Sequence, residues 1–340
     1  MYWPAEFSPQ SSVQLTWPHA RTDWGDRYVD VEPVFRTLAR LITQQADLIV
    51  AASDPERVES QLEASGADMN RARIFECPSD DVWARDHAPI SVLDQDRPVL
   101  LDFRFDGWGG KFDASLDNVI SRRLRDAGAF GDRDLHCIDW TLEGGGIETD
   151  GAGTLLTTTA CLLDTRRNPR VDRRALEGSL HEWLGVTRVL WLDHGHLDGD
   201  DTDSHIDTLA RFASPELITY QACDDPLDSH HDALRAMRKQ LEQFRTPGGH
   251  AYELVPLPLP APQVGDDGRR LPAGYANFLI VNDLVLAPVY QTRADDIALR
   301  RLDDAFPRHR IEPVDCRALI TQNGSLHCVT MNYPDFGAPT

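Results

Sequence analysis

The sequence contains no apolar stretch approaching the roughly 18 consecutive residues that a membrane-crossing helix requires; runs such as Pro98-Val-Leu-Leu and Phe278-Leu-Ile-Val are strand-sized. Met1-Tyr-Trp-Pro-Ala-Glu has neither a basic stretch nor an apolar core, so it does not read as a signal peptide, and a cytoplasmic location is expected. The six cysteines, at 77, 137, 161, 223, 316 and 328, form no C-x-x-C pair. A paired zinc-ligand set is thereby excluded, and free thiols in a reducing compartment are expected. There is no G-x-G-x-x-G and no P-loop lysine, which argues against a nucleotide cradle. Positive charge is scarce: 34 Lys and Arg face 55 Asp and Glu, a formal charge of −21. Such a surface repels phosphate backbones, so no nucleic-acid partner is expected, and it favours cationic ligands.

The remaining composition, 41% hydrophobic and 26% charged in 340 residues, is that of a globular protein. No linker divides the chain, so one catalytic domain over 1–340 is expected. The Pro-rich stretch from Val255 to Pro272 reads as a surface excursion. Four times a polar cluster runs into a strand, a turn and a second strand. The turns are Asp94-Gln-Asp-Arg, Asp150-Gly-Ala-Gly, Ser214-Pro-Glu and Asn282-Asp, and the alternation and turn residues predict hairpins. A fifth such strand begins at His327-Cys-Val-Thr-Met. Helical periodicity fits Val31–Gln45, Asp117–Ala127, Asp172–Leu184, Asp228–Phe244 and Asp295–Phe306, several opening on an Asp suited to capping. Counted from Asp86, Glu143, His205, Tyr275 and Cys328, the spacings are 57, 62, 70 and 53 residues. This rhythm predicts a ring of β/α units whose equivalent strand ends meet on a central axis.

Four clusters carry candidate chemistry. In Trp83-Ala-Arg-Asp, Asp86 is either half of a strand-end ion pair with Arg85 or a carboxylate for a cationic substrate, with Trp83 as a pocket wall. Three glycines after Glu143 predict a close approach of the backbone to another group. Between Asp193 and Asp207 lie three histidines and many acids. An EF-hand starting at Asp198 fails, because its sixth position is Asp203 rather than Gly and its twelfth is Leu209 rather than Glu. A metal site built from His194, His196 and His205 remains an alternative. The opposing reading starts a strand at His205, which places His205 and Asp207 on one face as an acid/base and its neighbour or a substrate anchor. Cys328 follows the turn at Asn323-Gly-Ser and is a core thiol or, with a distant histidine, a nucleophile. The surplus of acids suits a guanidinium, which is planar, permanently charged and rich in N–H donors.

These motifs resemble the Porphyromonas-type peptidyl-arginine deiminase family of the guanidino-group-modifying superfamily, and within it the agmatine deiminases. The resemblance spans almost the whole chain, through Trp3-Pro-Ala-Glu, Trp83-Ala-Arg-Asp, Asp106-Gly-Trp-Gly-Gly-Lys, Glu143-Gly-Gly, Arg167-Asn-Pro, Thr202-Asp-Ser-His-Ile-Asp, Tyr275-Ala-Asn-Phe and His327-Cys. It implies a five-bladed α/β propeller of the pentein type. It implies Cys328 as nucleophile, His205 as general acid/base, Asp86 and Asp207 as the carboxylates gripping the guanidinium, and Glu143 as the acid that orients the histidine. Asp201 would receive the amine tail, and Trp83 would wall the pocket. Ala88, Ser204 and Asn323-Gly-Ser stand where the family usually has glycines.

The resulting expectation is a hydrolase of linear amidines that converts agmatine to N-carbamoylputrescine and ammonia, a step toward polyamines or nitrogen recovery, with neither cofactor nor metal. Its partner would be the small cationic substrate, with a homodimer possible on the edges of the ring. Arginine or peptidyl-arginine as substrate, the metal-dependent hydrolase and a non-catalytic guanidine-binding protein are the alternatives.

Overall fold

The alternating segments form strands, and these assemble into five small sheets. The computed structural model describes residues 1–337, so the last three positions of the expected 1–340 span lie outside the described residues. The first sheet pairs Ile90–Asp94 antiparallel with Arg97–Arg104, which runs parallel to Asp134–Thr141. The second repeats this with Ile147–Thr149, Thr154–Thr158 and Arg188–Leu192. The third uses Ala210–Ser214, Leu217–Gln221 and Glu253–Leu257, and the fourth Leu279–Val281, Leu284–Val289 and Arg310–Asp315. The hairpins sit where the turn residues predict them. At the first, Gln95 and Asp96 both take positive φ (48° and 65°), the backbone of a two-residue turn that matches strand twist.

Between the second and third strands of each sheet the chain crosses over through helix, as parallel pairing requires. Arg173–Leu184 illustrates the local cause. Leu176, Leu180 and Leu184 recur at one face and are buried, Asp172 accepts the Ala175 N–H as cap, and Gly185 ends the helix at φ 69°. Each such leucine contributes roughly 1.5–3 kcal/mol of burial. The helix expected from Asp295 instead starts at Arg293, because Thr292 caps it and Asp295 closes a capping box from the third position. One helix, Pro55–Ser65, escapes the periodicity reading; Asp54 caps it and Gly66 terminates it.

The fifth sheet closes the ring. Thr330–Pro334 pairs antiparallel with Gln10–Thr16, which is followed in parallel by Asp47–Ala52 and Ala72–Glu76. The partner of the C-terminal strand therefore comes from the beginning of the chain, with Leu15 opposite Thr330. Two expectations need correction. Residues Ile206–Thr208 form a turn of 3₁₀ helix and the strand begins only at Ala210, so period-two alternation is not what brings His205 and Asp207 together. The Pro-rich stretch also begins inside the strand Glu253–Leu257, where Pro256 pairs with Tyr220 on the sheet's edge. No helix of the described residues is long and apolar enough to cross a membrane.

Candidate active site

The segment ahead of each sheet's first strand supplies the site. Ala84–His87 is a helical turn before the first sheet, Gly144–Gly146 a 3₁₀ turn before the second, and Ile206–Thr208 the same before the third. Asn277 precedes the fourth sheet and His327-Cys328 the fifth. Asn277 knits three of these segments together. Its Nδ2 donates to the Asp207 carbonyl at 3.3 Å, and its Oδ1 accepts the His327 N–H at 2.8 Å and faces Cys328 Sγ at 3.4 Å.

The glycines after Glu143 have the expected cause. A Cβ on Gly145 would stand 2.6 Å from His205 Nδ1 and 2.8 Å from Asp86 Oδ1, and one on Gly144 would collide with the Arg85 carbonyl. The Gly145 N–H donates to Asp86 Oδ1 at 3.0 Å, while Trp108 Nε1 donates to Asp86 Oδ2 at 2.9 Å. Asp86 thus does not pair with its neighbour Arg85, whose Nη2 lies 3.3 Å from Glu6 Oε2. Trp108 is delivered by Asp106-Gly-Trp-Gly-Gly, in which Trp108 itself adopts φ 59°, ψ 50°. Left-handed backbone at a bulky residue is costly and is tolerated where the surroundings over-determine it.

His205 lies 3.6 Å from Asp86 Oδ1 through Nδ1 and 3.7 Å from Glu143 Oε2 through Nε2, ion-pair rather than hydrogen-bond distances. Arg167 Nε donates to both Glu143 oxygens at 2.8–2.9 Å. Asp207 Oδ2 accepts from His327 Nδ1 at 2.8 Å and lies 3.7 Å from Cys328 Sγ. Asp207 Oδ1 and both ring nitrogens of His205 are buried without a hydrogen-bond partner among the described residues. Buried polar groups are rarely left so, since each costs about 1–3 kcal/mol.

A cavity of about 210 Å³ opens onto this cluster, lined among others by Trp83, Asp86, Trp108, Asp201, Asn323 and Cys328. His205, Asp207 and Glu143 stand behind that lining, at most 1% exposed. Trp83 is fixed by Asp81, which accepts from the indole N–H of both Trp83 and Trp24. Gly324 leaves room for the Trp83 ring, because a Cβ there would fall 2.1 Å from the indole. Asp201 accepts from Asn323 Nδ2 at 2.9 Å. Of the three positions where the family's glycine is absent, Ala88 has extended backbone that asks nothing of glycine, whereas Ser204 and Asn323 carry φ of 65° and 66°.

Charge in the cluster is unbalanced. Burial pushes the Asp86 carboxyl up to about 6 and Asp81 up to about 7, and it raises Asp201 as well. Burial works in the same sense on Glu143 and Asp207, but His205 and Arg167 around the first, and His327 beside the second, hold both below the usual range. Burial disfavours a charged His205, yet Asp86, Cys161 and Glu143 outweigh it and the imidazolium is strongly favoured. Burial, with Asp207 and Asp86, drives the Cys328 thiol well above its ordinary value.

The metal alternative is not assembled. His194 and His196 are exposed, whereas His205 is buried among Glu143 and Cys161, and Glu143 is already engaged by the Arg167 cation. Arg167, Asn277, His327 and Trp108 sit inside the family motifs, yet sequence reasoning assigns them no role. Their place in those motifs is the only signal, because their contacts lie 22 to 120 residues away in sequence.

Five three- or four-stranded sheets closed into a ring, with a thiol, an imidazole and carboxylates at the strand ends, define an α/β propeller of the pentein type. The sequence profile of the Porphyromonas-type peptidyl-arginine deiminase family matches residues 2–334. An agmatine deiminase of Stutzerimonas stutzeri is 33% identical over 98% of this chain and 95% of its own. A substrate-bound agmatine deiminase of C. jejuni, carrying a Cys-to-Ser change, superposes with a TM-score of 0.90 at 33% identity, covering 98% of this chain and 96% of that one. A Porphyromonas gingivalis structure provisionally named an arginine deiminase gives 0.93 at 47% identity, with 98% of both chains covered. The chain belongs to the Porphyromonas-type peptidyl-arginine deiminase family.

Proposed function

We propose that this protein is an agmatine deiminase, working as one catalytic unit that hydrolyses agmatine to N-carbamoylputrescine and ammonia. The observation carrying the proposal is the surplus of carboxylates at the cavity, which His205, 3.6 Å from Asp86, does not balance. Asp86, Asp81 and Asp201 accept hydrogen bonds from neutral groups, and Asp207 Oδ1 accepts none among the described residues. A guanidinium supplies both the missing charge and the missing N–H donors.

Asp86 and Asp207 grip the guanidinium and hold its carbon beside Cys328 Sγ. In the free protein Cys328 is a protonated thiol; the bound cation offsets the two carboxylates, and the thiol then loses its proton to solvent. The thiolate attacks the guanidinium carbon, forming the S–C bond. His205, as imidazolium, protonates the departing nitrogen, the C–N bond breaks and ammonia leaves a thiouronium on sulfur. His205, now neutral, takes a proton from water as its oxygen adds to the same carbon. Collapse breaks the C–S bond, releases the ureido product and restores the thiol. Glu143, fixed by Arg167, keeps the imidazole in place.

The 47%-identical structure named for arginine favours a second reading, with arginine as the substrate. Its α-carboxylate would meet Asp201 and Asp81, which makes agmatine, with a free amine in that position, the better match in charge. The test is ammonia and ureido product from agmatine, arginine and a blocked arginine peptide, each with EDTA present. Turnover of agmatine at least tenfold faster than of the others is expected. Preference for arginine overturns the substrate, and loss of turnover with EDTA overturns the thiol mechanism.

A further inference from the structure

The Trp3-Pro-Ala-Glu motif lies ahead of the first strand and contributes nothing to the lining of the substrate cavity. The segment is nonetheless tied down: Tyr2 exchanges both backbone hydrogen bonds with Leu93, and the Pro9 carbonyl accepts from Asp335. It borders a separate small cavity of about 50 Å³ that Arg85 and Glu148 also line. Its one acid, Glu6, carries a side chain only 8% exposed. Glu6 Oε1 accepts the Ile280 N–H at 2.8 Å, and Oε2 lies 3.0 Å from Arg211 Nη2 and 2.7 Å from His327 Nε2. The other nitrogen of that ring reaches Asp207 Oδ2 at 2.8 Å, the oxygen that faces Cys328.

The geometry points to Glu6 as a positioning residue that acts on Asp207 through His327. Two carboxylate oxygens on opposite nitrogens of one imidazole require a hydrogen on each nitrogen, so His327 bridges them as a cation. The bridge ties down Asp207 Oδ2 and leaves Oδ1 free for the guanidinium. Asp86, the other gripping carboxylate, takes both its hydrogen bonds from neutral donors, with His205 nearby at 3.6 Å but not hydrogen-bonded. The two are therefore tuned differently, and Glu6 is what makes the difference. Arg211 and Arg85 keep Glu6 ionised against its burial. Around Asp207 stand His327 and Cys328 from the fifth repeat, Asp86 and Arg85 from the first, and His205 and Arg211 from the third.

This inference rests on the agmatine reading for its kinetic arm only. Glu6→Gln keeps the shape and can donate its amide to His327 Nε2, leaving a neutral ring whose single hydrogen still points at Asp207. The loss of the cation beside Asp207 makes that carboxylate easier to protonate and Cys328 harder to ionise. In Glu6→Gln the acid limb of kcat for agmatine, which reports Cys328 ionising in the substrate complex, should move up by about one pH unit, and kcat at neutral pH should fall by about tenfold. The pH midpoint for iodoacetamide alkylation of Cys328, followed by mass on its own peptide, should also move up. Wild type failing to consume agmatine while the alkylation midpoint still shifts would remove the substrate reading and leave the role of Glu6 standing. Unchanged pH profiles in a folded Glu6→Gln, even with lower activity, would reduce Glu6 to a structural tie and overturn the proposal. Should Glu6→Gln not fold, His327→Asn keeps a donor toward Asp207 but carries no charge. Both midpoints should then move up in that variant, and midpoints that stay at their wild-type positions would overturn the proposal equally.

Discussion

Two halves of the axial cluster use the same residue types to opposite ends. On the inner side, Glu6 and Glu148 are matched by cations. Arg211 Nε donates to Glu148 at 2.6 Å, its Nη2 lies 3.0 Å from Glu6, and all four carboxylate oxygens accept a hydrogen bond. At the cavity, Asp81, Asp86 and Asp201 accept from indoles, a backbone N–H and an amide. Both sets are hydrogen-bonded, so counting bonds does not separate them. Counting charge does: Arg85, Arg211 and His327 face Glu6 and Glu148 in the inner half, while at the cavity His205, 3.6 Å from Asp86, is outnumbered by three acids. A surplus of buried carboxylates over nearby cations marks where the ligand's charge belongs.

On that contrast, changes at the cavity cost mainly turnover and loss of a cation from the inner half costs mainly stability, with Glu6 the exception because it reaches Asp207 through His327. The largest effect falls on Cys328→Ser, for which kcat should drop by about 10⁴-fold or more with the unfolding midpoint in urea unchanged; appreciable residual hydrolysis would sink the covalent scheme. Asp86→Asn should lower kcat/KM by about 10²–10³-fold. In the wild type, kcat/KM should fall as pH drops through about 6, because Asp86 then takes up a proton and loses its hold on the cation. A pH-rate profile flat down to pH 5 would remove Asp86 from the grip. Arg211→Met leaves Glu148 and Glu6 buried without their shared cation, and should destabilise the protein by about 3–5 kcal/mol. Wild-type stability in that variant would erase the distinction between the halves. Smallest is Ser204→Gly: at φ 65° the serine is strained, and glycine should raise stability by about 1 kcal/mol in denaturant unfolding. No gain would mean the turn's hydrogen bonds already absorb the strain.

Local sequence makes much of this legible. The hairpin turns, the cap at Asp172 and the Gly-Gly-Gly approach all follow from conformational preferences of a few adjacent residues, whereas the cap expected at Asp295 falls on Thr292. The spacing of the five clusters likewise anticipates that equivalent ends meet, and the structure places Asp86, Glu143, His205, Asp207 and Cys328 in one connected group. Periodicity misleads at His205. Ile206 and Thr208 mimic a strand's alternation within a 3₁₀ turn, and the ladder starts later.

The sequence by itself determined the four strand–turn–strand units, the lone fifth strand, most of the helices between them and the inventory of acids, thiol and imidazole, because each depends on neighbours within a few residues. Only the tertiary structure decided how the ring closes, through Gln10–Thr16 against Thr330–Pro334, and which carboxylate meets which partner. Trp108 on Asp86, Arg167 on Glu143, and Glu6 through His327 on Asp207 are contacts between segments 22 to 321 residues apart. Burial and charge compensation at such distances are properties of the packed axis, and no window of sequence contains them.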